Sequence, residues 1–577
     1  MIQTQIAPAS LLPDVLAAVA AAGALIRAEF HRPGGPHGRG GKAPLDTEVE
    51  LLLKTQLLAL LPCGWRGEET EALAARNGWE WVVDPQDGTS DFLAGHRGSA
   101  VSVALLRQGD PVLGVVHAPL WPDDGGEMIA WAEGAGLSRN GRPVVPETGF
   151  AAPVVAVGLS GLIAAPGLRA LALPSPAFRL ALAAVGQVSA ATSHTRALAA
   201  WDIAGGLALL KGAGKRAVDL HGQPIDLRRD AFSGVIGGDA AVVERLLSDP
   251  PRHVAPPARP ALPAGRVAEA DRLAKAQGCL LGLLAGDALG SQVEFRSASE
   301  IARHHPGGPR DLVDGGTWNL IAGQPTDDGE MALSLAGALL AVRRFEAETV
   351  AAAYVGWRRS GPFDIGSTTS AGIAALARGG RAVSDSQANG ALMRVAPIGI
   401  ACAGNPARAA EWAAEDAGLT HPSAVCRAAS AAFAAALAAG IAGADRATMA
   451  EVAISNASDA AVRACLQAAL HTLPADYQRN MGWVLTALQN AFYHLAAGHA
   501  LEPALRATVA AGGDTDTNAA ICGALLGAAQ GRAAVPLRWR NAVLTCRPGG
   551  PHPRPAALWP DRALPLAEAL LTLAQEN

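Results

Sequence analysis

Two acidic segments in the second half of the chain could bind divalent metal ions. The first is Thr326-Asp327-Asp328-Gly329, and the second, much later in the chain, is Gly513-Asp514-Thr515-Asp516-Thr517. Together they offer four carboxylates and several hydroxyls, the oxygen ligands that hard cations, above all Mg²⁺, prefer. Each segment precedes an Ala/Leu-rich tract with a helical pattern, so both should lie where a loop enters a helix. The pattern predicts a metal site with ligands from two distant segments.

Two other interpretations of these segments are weaker. The second segment fits the start of an EF-hand calcium loop, but Ala519 occupies the glycine position and Leu525 the glutamate position, so that interpretation fails. Helix capping is the simpler alternative, because Thr and Asp are common N-cap residues. Capping alone does not explain an Asp327-Asp328 doublet together with an Asp514-x-Asp516 pair.

A second acidic set lies in the first half of the chain. Its segments are Gly67-Glu68-Glu69, Asp84-Pro85-Gln86-Asp87-Gly88-Thr89 and Trp201-Asp202, with Asp46 as a further candidate. The apolar residues before Asp84 predict a buried strand whose ladder Pro85 ends, and the glycine permits a tight turn. Two carboxylates and a peptide carbonyl would then converge on a cation. A turn-forming role alone is the simpler interpretation of Asp-Pro and Asp-Gly, but it leaves the other segments unexplained.

The composition limits the classes of protein to consider. A chain of 577 residues is too long for one core and predicts two or more domains. Hydrophobic residues make up 50% and charged residues 17%, which argues against disorder. The net charge of −5 provides no basic patch for nucleic acid or an anionic membrane. Seven cysteines without a CxxC pair argue against a disulfide framework and favour the cytoplasm.

A proline-rich stretch divides the chain. Asp249–Gly265 contains six prolines, which should exclude helix and sheet pairing and favour an extended spacer. Short Val-rich runs before it predict strands mixed with helices, whereas the long Ala/Leu tracts after it predict stacked helices. We therefore expect a first domain at 1–248, a linker at 249–266 and a helical domain at 267–577.

Two further patterns concern single helices. The apolar stretch Leu11–Phe30 carries Asp14 and Arg27 and lacks a basic start, so it predicts a packed helix and not an export signal. We expect no membrane span elsewhere. Glycines recur every four residues over Gly278–Gly290 and Gly523–Gly531. This spacing predicts two closely packed helices that hold the adjacent acidic loops rigidly opposite each other.

The first-half segments, with Gly109–Pro119 and Asp219–Asp226, resemble the inositol monophosphatase-like family of Mg²⁺-dependent phosphatases over about residues 8–245. They are similar in particular to the branch that dephosphorylates 3′-phosphoadenosine 5′-phosphate. The resemblance implies a layered α/β fold with two or three Mg²⁺ ions. The metal ligands that it implies are Glu68, Asp84, Asp87, Asp202 and the carbonyl of Gln86. The other roles are Glu68 and Thr89 to orient water, Asp46 to help hold a further ion, and Gly88 to contact substrate.

Two features depart from that family's pattern. Asp46 follows Pro44-Leu45 instead of the usual Thr-x-x-Asp lead-in. The segment between Pro143 and Trp201, which normally shapes substrate choice, is short. The resemblance therefore supports the type of reaction more strongly than it supports a particular substrate.

The second half, from about residue 268 to 577, resembles the all-helical ADP-ribosylglycohydrolase family. Shared motifs include Val293-Glu294-Phe295, Asp364–Thr369, Asn389–Arg394 and Thr420-His421, while Gly329 replaces a common threonine. The ligands implied for two Mg²⁺ ions are Thr326, Asp327, Asp328, Asp514, Asp516 and Thr517. Catalytic roles are implied for Asp328 and for Glu294, the latter as a gating or acid–base group. Substrate contacts are implied for Gly366, Ser367, Asn389, Gly390 and His421.

The leading hypothesis is a bifunctional Mg²⁺-dependent hydrolase. One half would cleave a small phosphate ester, either a nucleotide 3′-phosphate or a sugar phosphate. The other would remove ADP-ribose from a protein, a nucleic acid or a small molecule, with a bimetal pair that orients the distal ribose. The alternative is that one half is catalytic and the other is a ligand-binding or scaffold module. The acceptor, the phosphatase substrate, the oligomeric state and any coupling of the two activities stay open.

Overall fold

The computed structural model describes residues 6–75, 77–145, 152–159, 161–164, 167–195 and 197–576. The chain forms two compact units, Met1–Pro256 and Pro257–Asn577. The first is a layered α/β structure and the second is largely helical, which confirms the fold class expected from the sequence.

The first unit carries both helices and strands. The helices are α1 (Pro8–Phe30), α2 (Pro44–Leu60), α3 (Thr89–Leu93), α4 (Pro176–Ala184), α5 (Ala200–Gly212) and α6 (Ala240–Ser248). The strands are β1 (Gly64–Gly67), β2 (Trp79–Asp87), β3 (Ala100–Arg107), β4 (Asp110–Ala118), β5 (Glu127–Ala132), β6 (Ala135–Arg139), β7 (Arg142–Pro143), β8 (Val154–Val157), β9 (Leu162–Ala164), β10 (Arg169–Ala172), β11 (Ala190–Ser193), β12 (Leu198–Ala199), β13 (Arg216–Val218), β14 (Ala231–Phe232), β15 (Val235–Gly238) and β16 (Arg252–Val254).

The strands form two main sheets. Strands β1 to β7 lie in chain order in one sheet, with β1 parallel to β2 and the later neighbours antiparallel. The second sheet has the order β10-β8-β11-β15-β13, and β12–β14 and β9–β16 form two-stranded ladders. Val83 belongs to the core that α1 and α2 cover, and its neighbour Val82 to the core that α4 and α5 cover. Strand alternation thus buries both faces of the larger sheet.

Helix α1 confirms the expected packed helix near the start of the chain. Its buried residues Val15, Val19, Ile26 and Phe30 recur at helical spacing and join the core against the sheet. By length and composition alone, α1 and the helix Ala424–Ile441 could cross a membrane, but 83% of the latter's apolar window is buried. Because core helices pass the same test, this is weak evidence for a span.

The proline-rich stretch is structured in part. Arg252–Val254 pairs antiparallel with Leu162–Ala164, so the expectation that this stretch forms no sheet pairing is wrong. Prolines flank these three residues but do not interrupt them. The backbone N–H groups of the three residues are therefore available for hydrogen bonds in a short two-stranded ladder. Further on, Arg259 forms a two-bond ion pair with Asp561 of the second unit at 2.5 and 3.1 Å.

The second unit is built from helices. They are α7 (Ala270–Gly290), α8 (Ala298–His304), α9 (Asp327–Val342), α10 (Ala347–Arg359), α11 (Ser367–Ala377), α12 (Ala396–Ala401), α13 (Pro406–Thr420), α14 (Ala424–Ile441), α15 (Arg446–Asn456), α16 (Ala460–Ala469), α17 (Val484–Ala496), α18 (Leu501–Ala510), α19 (Thr515–Gln530), α20 (Leu537–Leu544) and α21 (Ala563–Glu576). Short 3₁₀ helices cover Asn389–Arg394, Arg532–Ala534, Ala556–Leu558 and Pro560–Arg562.

The two glycine ladders pack as the sequence predicts. A methyl group on Gly282 would overlap the backbone of Gly523, and one on Gly278 would overlap that of Gly527. Helices α7 and α19 therefore run antiparallel with their backbones in contact. At the end of this seam Gly290 lies against the backbone of Asp516, so the packing places the second acidic segment beside α7.

Candidate active sites

Strand β2 carries the central acidic motif of the first unit. The strand is buried from Trp81 to Asp87 and continues through the proline, so the expectation that Pro85 ends the ladder is wrong. Asp84 pairs with Ser102 and Asp87 with Ala100, with a bulge between them. Because proline has no N–H to donate, the ladder skips the bulge and then resumes.

Three carboxylates meet at the end of β2. Those of Asp84, Asp87 and Asp202 each offer an oxygen within 4.8 Å of the others. Asp202 lies in the first turn of α5, where it accepts a hydrogen bond from Ala199 N–H at 2.7 Å. Asp84 accepts one from Gln86 N–H at 2.9 Å. The structure thus brings together three of the expected metal ligands.

A hydroxyl–carboxylate pair lies beside them. The Thr89 hydroxyl is 3.1 Å from Asp46 Oδ2 and 2.9 Å from the carbonyl oxygen of Gln86. Gly88 has φ +95° at the turn into α3, a conformation that favours glycine. The other carboxylate oxygen of Asp46 is buried without a hydrogen-bond partner among the described residues, and burial raises the pKa of Asp46 to about 6. An unpartnered buried oxygen is suited to a cation.

The electrostatics of this site also fit a cation. Burial raises the pKa of Asp84 well above its ordinary value, and the charges of Asp87, Glu68 and Asp202 raise it further. Burial raises the pKa of Asp87 to about 8 and that of Asp202 to about 6. Lost hydration and the charge of Asp202 raise the pKa of Glu68 to about 7. A bound divalent cation would remove the repulsion among these carboxylates.

Two residues that position this site escaped the sequence analysis. Glu50, one turn after Asp46 on α2, accepts hydrogen bonds from Glu69 N–H at 2.7 Å and Thr70 N–H at 2.9 Å, which fixes the loop that carries Glu68. Ser175, the N-cap of α4, donates to Asp87 Oδ2 at 2.5 Å. Glu50 lies four residues after Asp46 on the same helix face, and this spacing could have indicated that it belongs to the site. No residue near Ser175 in the sequence indicates that it contacts Asp87.

The second unit brings its acidic segments together around the α7–α19 seam. Asp287, Asp328 and Asp516 form one group with oxygens within 4.8 Å of one another, and Glu294, Asp364 and Asp516 form another. Asp287 and Asp364 were not among the expected site residues. Asp287 lies within the Gly278–Gly290 segment, and an acidic residue in a glycine-rich helix that is otherwise apolar was a usable signal.

Helix capping does not account for these segments. Thr326 and Asp514 are the N-cap residues of α9 and α19, but within the described structure neither side chain forms a capping hydrogen bond. The Thr326 hydroxyl instead donates to Asp287 at 2.9 Å, and Asp514 accepts a bond from the Asn389 amide at 2.7 Å. The side chains are directed into the acidic cluster.

Other expected ligands surround the same cluster. The Thr517 hydroxyl is 3.3 Å from Asp328 Oδ2. The second oxygen of Asp328 is fully buried, and no partner for it exists in the part of the chain that the structure describes. Gly366 N–H donates to Asp327 at 3.3 Å. Glu294 accepts a hydrogen bond from Trp318 Nε1 at 2.6 Å.

The remaining substrate-contact candidates have different surroundings. Ser367 is exposed in the first turn of α11. A methyl group on Gly390 would lie 3.1 Å from the ring of His421. His421 is fully buried, with Nδ1 2.8 Å from the Thr420 hydroxyl and Nε2 unpartnered among the described residues. Burial lowers the pKa of His421 to about 3, so its ring is neutral.

The raised pKa values in this site reflect the crowding of buried carboxylates. Burial, followed by the charges of neighbouring carboxylates, raises the pKa of Asp327, Asp328 and Asp516 well above the ordinary value. Burial also raises the pKa of Glu294 and Asp364 to about 8. The carboxylates and hydroxyls form an oxygen-only donor set, which fits hard divalent cations.

The comparisons with known proteins agree with this division. The profile described as ADP-ribosylglycohydrolase matches residues 268–577, and the inositol monophosphatase family profile matches residues 10–249. The chain is 31% identical to an ADP-ribosyl-[dinitrogen reductase] glycohydrolase from Rhodospirillum rubrum, over 47% of this chain and 90% of that protein. It is 31% identical to a probable inositol 1-monophosphatase, ImpA, from Mycobacterium tuberculosis, over 35% of this chain and 81% of that protein.

A third relative matches a shorter part. The chain is 36% identical to the ADP-ribosylarginine hydrolase Tri1 of Pseudomonas putida, over 22% of this chain and 36% of that protein. Both matched families consist of hydrolases, so the two halves are hydrolase domains. The chain therefore belongs to the inositol monophosphatase family through residues 10–249 and to the ADP-ribosylglycohydrolase family through residues 268–577.

Proposed function

We propose that this chain is a bifunctional Mg²⁺-dependent hydrolase, in which the first unit cleaves phosphate monoesters and the second releases ADP-ribose. The observation that supports the proposal is the convergence of carboxylate oxygens in each unit: those of Asp84, Asp87 and Asp202 in the first, and two groups that share Asp516 in the second. Neither set lacks a carboxylate that its family resemblance implies, which favours two active sites over a catalytic half joined to a scaffold.

In the first unit, Asp84, Asp87, Asp202, Glu68 and the Gln86 carbonyl would hold Mg²⁺. The metal would supply Lewis-acid activation of water and neutralise charge on the phosphate. Thr89 donates its proton to an oxygen acceptor, so its own oxygen is available to accept a hydrogen bond from the attacking water. Asp46 orients that hydroxyl and could help to hold a further ion.

The substrate of this unit would be a small polar phosphate ester. A cavity of about 600 Å³ lies in the second unit. In the first unit, a cavity of about 330 Å³ is lined by Arg179, Thr192, Ser193, His194 and Thr195. The charge of Arg179 acts on Asp87, which relates this cavity to the carboxylate cluster. Its hydroxyls and cation suit a nucleotide or sugar phosphate, and the ImpA relative, a probable inositol 1-monophosphatase, supports a small polyol phosphate of similar polarity.

In the second unit, the two acidic segments would hold two Mg²⁺ ions through Thr326, Asp327, Asp328, Asp514, Asp516 and Thr517. Asp328 and Glu294 would have catalytic roles there. Gly366 and Asn389 donate hydrogen bonds to carboxylates of the cluster, which supports a role for their backbone and amide groups in binding ribose or diphosphate. Ser367, Gly390 and His421 would complete the substrate contacts.

The acceptor from which ADP-ribose is released is proposed to be an arginine side chain on a protein. The name of the Tri1 relative supports this choice. Within the described residues none of the seven cysteines forms a disulfide, and six of them are buried, which supports a reducing compartment such as the cytoplasm.

The test uses the intact chain and two variants that serve as each other's control. Asp84→Asn should abolish Mg²⁺-dependent phosphate release and preserve ADP-ribose release, and Asp516→Ala should do the reverse. A panel of nucleotide and sugar phosphates and of ADP-ribosylated peptides provides the substrates. If wild-type protein binds ligands at one site but turns none over, that half is a scaffold and the bifunctional proposal fails.

A further inference from the structure

Four aromatic rings form a continuous row in the second unit. The ring centroids of Phe295 and Trp318 are 6.4 Å apart, those of Trp318 and Phe363 are 6.0 Å apart, and those of Phe363 and His552 are 4.8 Å apart. All four side chains reach solvent in part, and Phe295 is 57% exposed. We call these four residues the aromatic row.

The aromatic row adjoins the acidic cluster. Phe295 directly follows Glu294, and Phe363 directly precedes Asp364. The indole N–H of Trp318 donates to Glu294 Oε2 at 2.6 Å. Because Glu294 and Asp364 belong to the same carboxylate group as Asp516, the rings lie next to the site where the glycosidic bond would be cleaved.

The chain holds Phe295 in this exposed position by unfavourable backbone geometry. Its φ is +66°, a left-handed conformation that is uncommon for a residue other than glycine and costly for a bulky one. Hydrogen bonds fix the turn: Phe295 N–H donates to the Gly513 carbonyl, and Gly513 N–H donates to the Arg296 carbonyl, both at 2.9 Å. The turn is thus tied to the loop that begins the second acidic segment.

We propose that the aromatic row binds the acceptor side of the scissile bond, as a stacking surface for a planar cation such as the guanidinium of ADP-ribosylated arginine. The inference rests on the proposed release of ADP-ribose. Guanidinium groups stack on aromatic faces and are attracted to them electrostatically. The carboxyl oxygens of Glu294 and Asp364 beside the row can accept hydrogen bonds from the N–H groups of a stacked guanidinium.

The decisive variant is Phe295→Ala in the full-length chain with Mg²⁺. The side chain is largely exposed, so its loss should leave the fold and Tm close to wild type. For a peptide ADP-ribosylated on arginine, KM should rise about threefold to fivefold, the size of an exposed cation–π contact. The Kd for free ADP-ribose, which has no acceptor, should change less than about twofold by calorimetry, and Phe295→Tyr should restore KM.

Two comparisons make the result specific. Leu470→Ala removes another exposed apolar side chain, at the end of α16, and should change neither quantity. Trp318→Phe retains a ring but removes the hydrogen-bond donor to Glu294. It should therefore lower kcat more than it raises KM.

Each contrary outcome has a distinct meaning. An equal loss of affinity for free ADP-ribose in Phe295→Ala would assign the row to the nucleotide and overturn the inference. Unchanged kinetics would also overturn it, and so would a larger effect on a substrate with ADP-ribose linked to a nucleobase. If the wild-type chain releases no ADP-ribose from either substrate, the proposed function itself fails.

Discussion

The carboxylate of Asp287, on helix α7, accepts hydrogen bonds from both the backbone N–H and the hydroxyl of Thr326, at the start of α9. The two residues are far apart in sequence, and both are fully buried. Asp287 also accepts a bond from Gly329 N–H at 2.9 Å, and a methyl group on Gly329 would lie 2.8 Å from its Oδ2. The one acidic residue of the glycine stripe therefore holds the first acidic segment in position, and Gly329 permits that close approach.

We predict that Asp287→Asn lowers ADP-ribose release by at least about tenfold with little loss of secondary structure. The amide keeps the shape of the side chain but replaces one acceptor oxygen with an NH₂ group. This group cannot accept a hydrogen bond from a backbone N–H, so a buried hydrogen bond is lost. Steady-state kinetics, calorimetry with Mg²⁺ and circular dichroism measure the effect. Phosphate release should be unchanged, and wild-type ADP-ribose release would contradict the positioning role.

For the first unit, Asp84→Asn should lower phosphate release by roughly two orders of magnitude or more, because a charged ligand is replaced by a neutral one of the same shape. The matched control is Asp110→Asn, which alters an exposed aspartate paired with Lys211 and should leave the rate within about twofold. A malachite-green phosphate assay on both variants is sufficient. Similar losses in the two variants would remove Asp84 from the site.

The stability of the metal-free chain should decrease as the pH rises. Burial raises the pKa of Asp287 to about 7 and that of Asp87, Glu294 and Asp364 to about 8. Such groups hold a proton more tightly when folded, so their stabilisation is complete at low pH and is lost as the pH rises through the folded pKa. We expect the Tm in EDTA to fall between about pH 5 and about pH 8.

Excess Mg²⁺ should reverse most of this fall, because it binds the ionised carboxylates of the folded state. Differential scanning calorimetry at several pH values, with EDTA or with Mg²⁺, makes the comparison. A Tm in EDTA that rises across this range, or a Mg²⁺ effect that is equal at both ends of it, would argue against buried metal-binding carboxylates.

Arg259, from the proline-rich stretch, should stabilise the second unit. Its partner Asp561 has a side chain only 3% exposed and retains a second bond, from Arg547 at 3.1 Å. Arg259→Ala should therefore lower the free energy of unfolding of this unit by about 1–3 kcal/mol. Arg344→Ala, which breaks an exposed pair with Glu346, should cost less than about 1 kcal/mol.

Denaturant unfolding of the intact chain tests both variants. Equal costs would mean that the Arg259 pair is no stronger than a surface contact. A larger cost for Arg259→Ala would support a second domain that begins near residue 257, before the boundary at 267 that the sequence alone suggests.

Several features could be predicted from the sequence because local geometry determines them. In Asp84-x-x-Asp87 and in Asp514-x-Asp516, the two carboxylates of each pair are separated by only one or two residues, so they lie close together in any local structure. The four-residue period of the glycines likewise specifies one face of a helix, and this period predicted the contact of α7 with α19. The division into an α/β half and a helical half follows from hydrophobic periodicity, which each segment carries by itself.

Other features depend on tertiary structure, because they join side chains that no local pattern relates. Ser175 reaches Asp87 only where α4 packs against the end of β2, and Asp287 reaches Thr326 only where α7 packs against α9. The aromatic row takes its rings from four separate segments of the second unit. The amino-acid sequence thus indicated many of the acidic residues that converge in each unit, but not Asp287 or Asp364. The packing of helices and strands decided which distant residues hold those carboxylates in place, since such contacts form only when burial brings remote segments together.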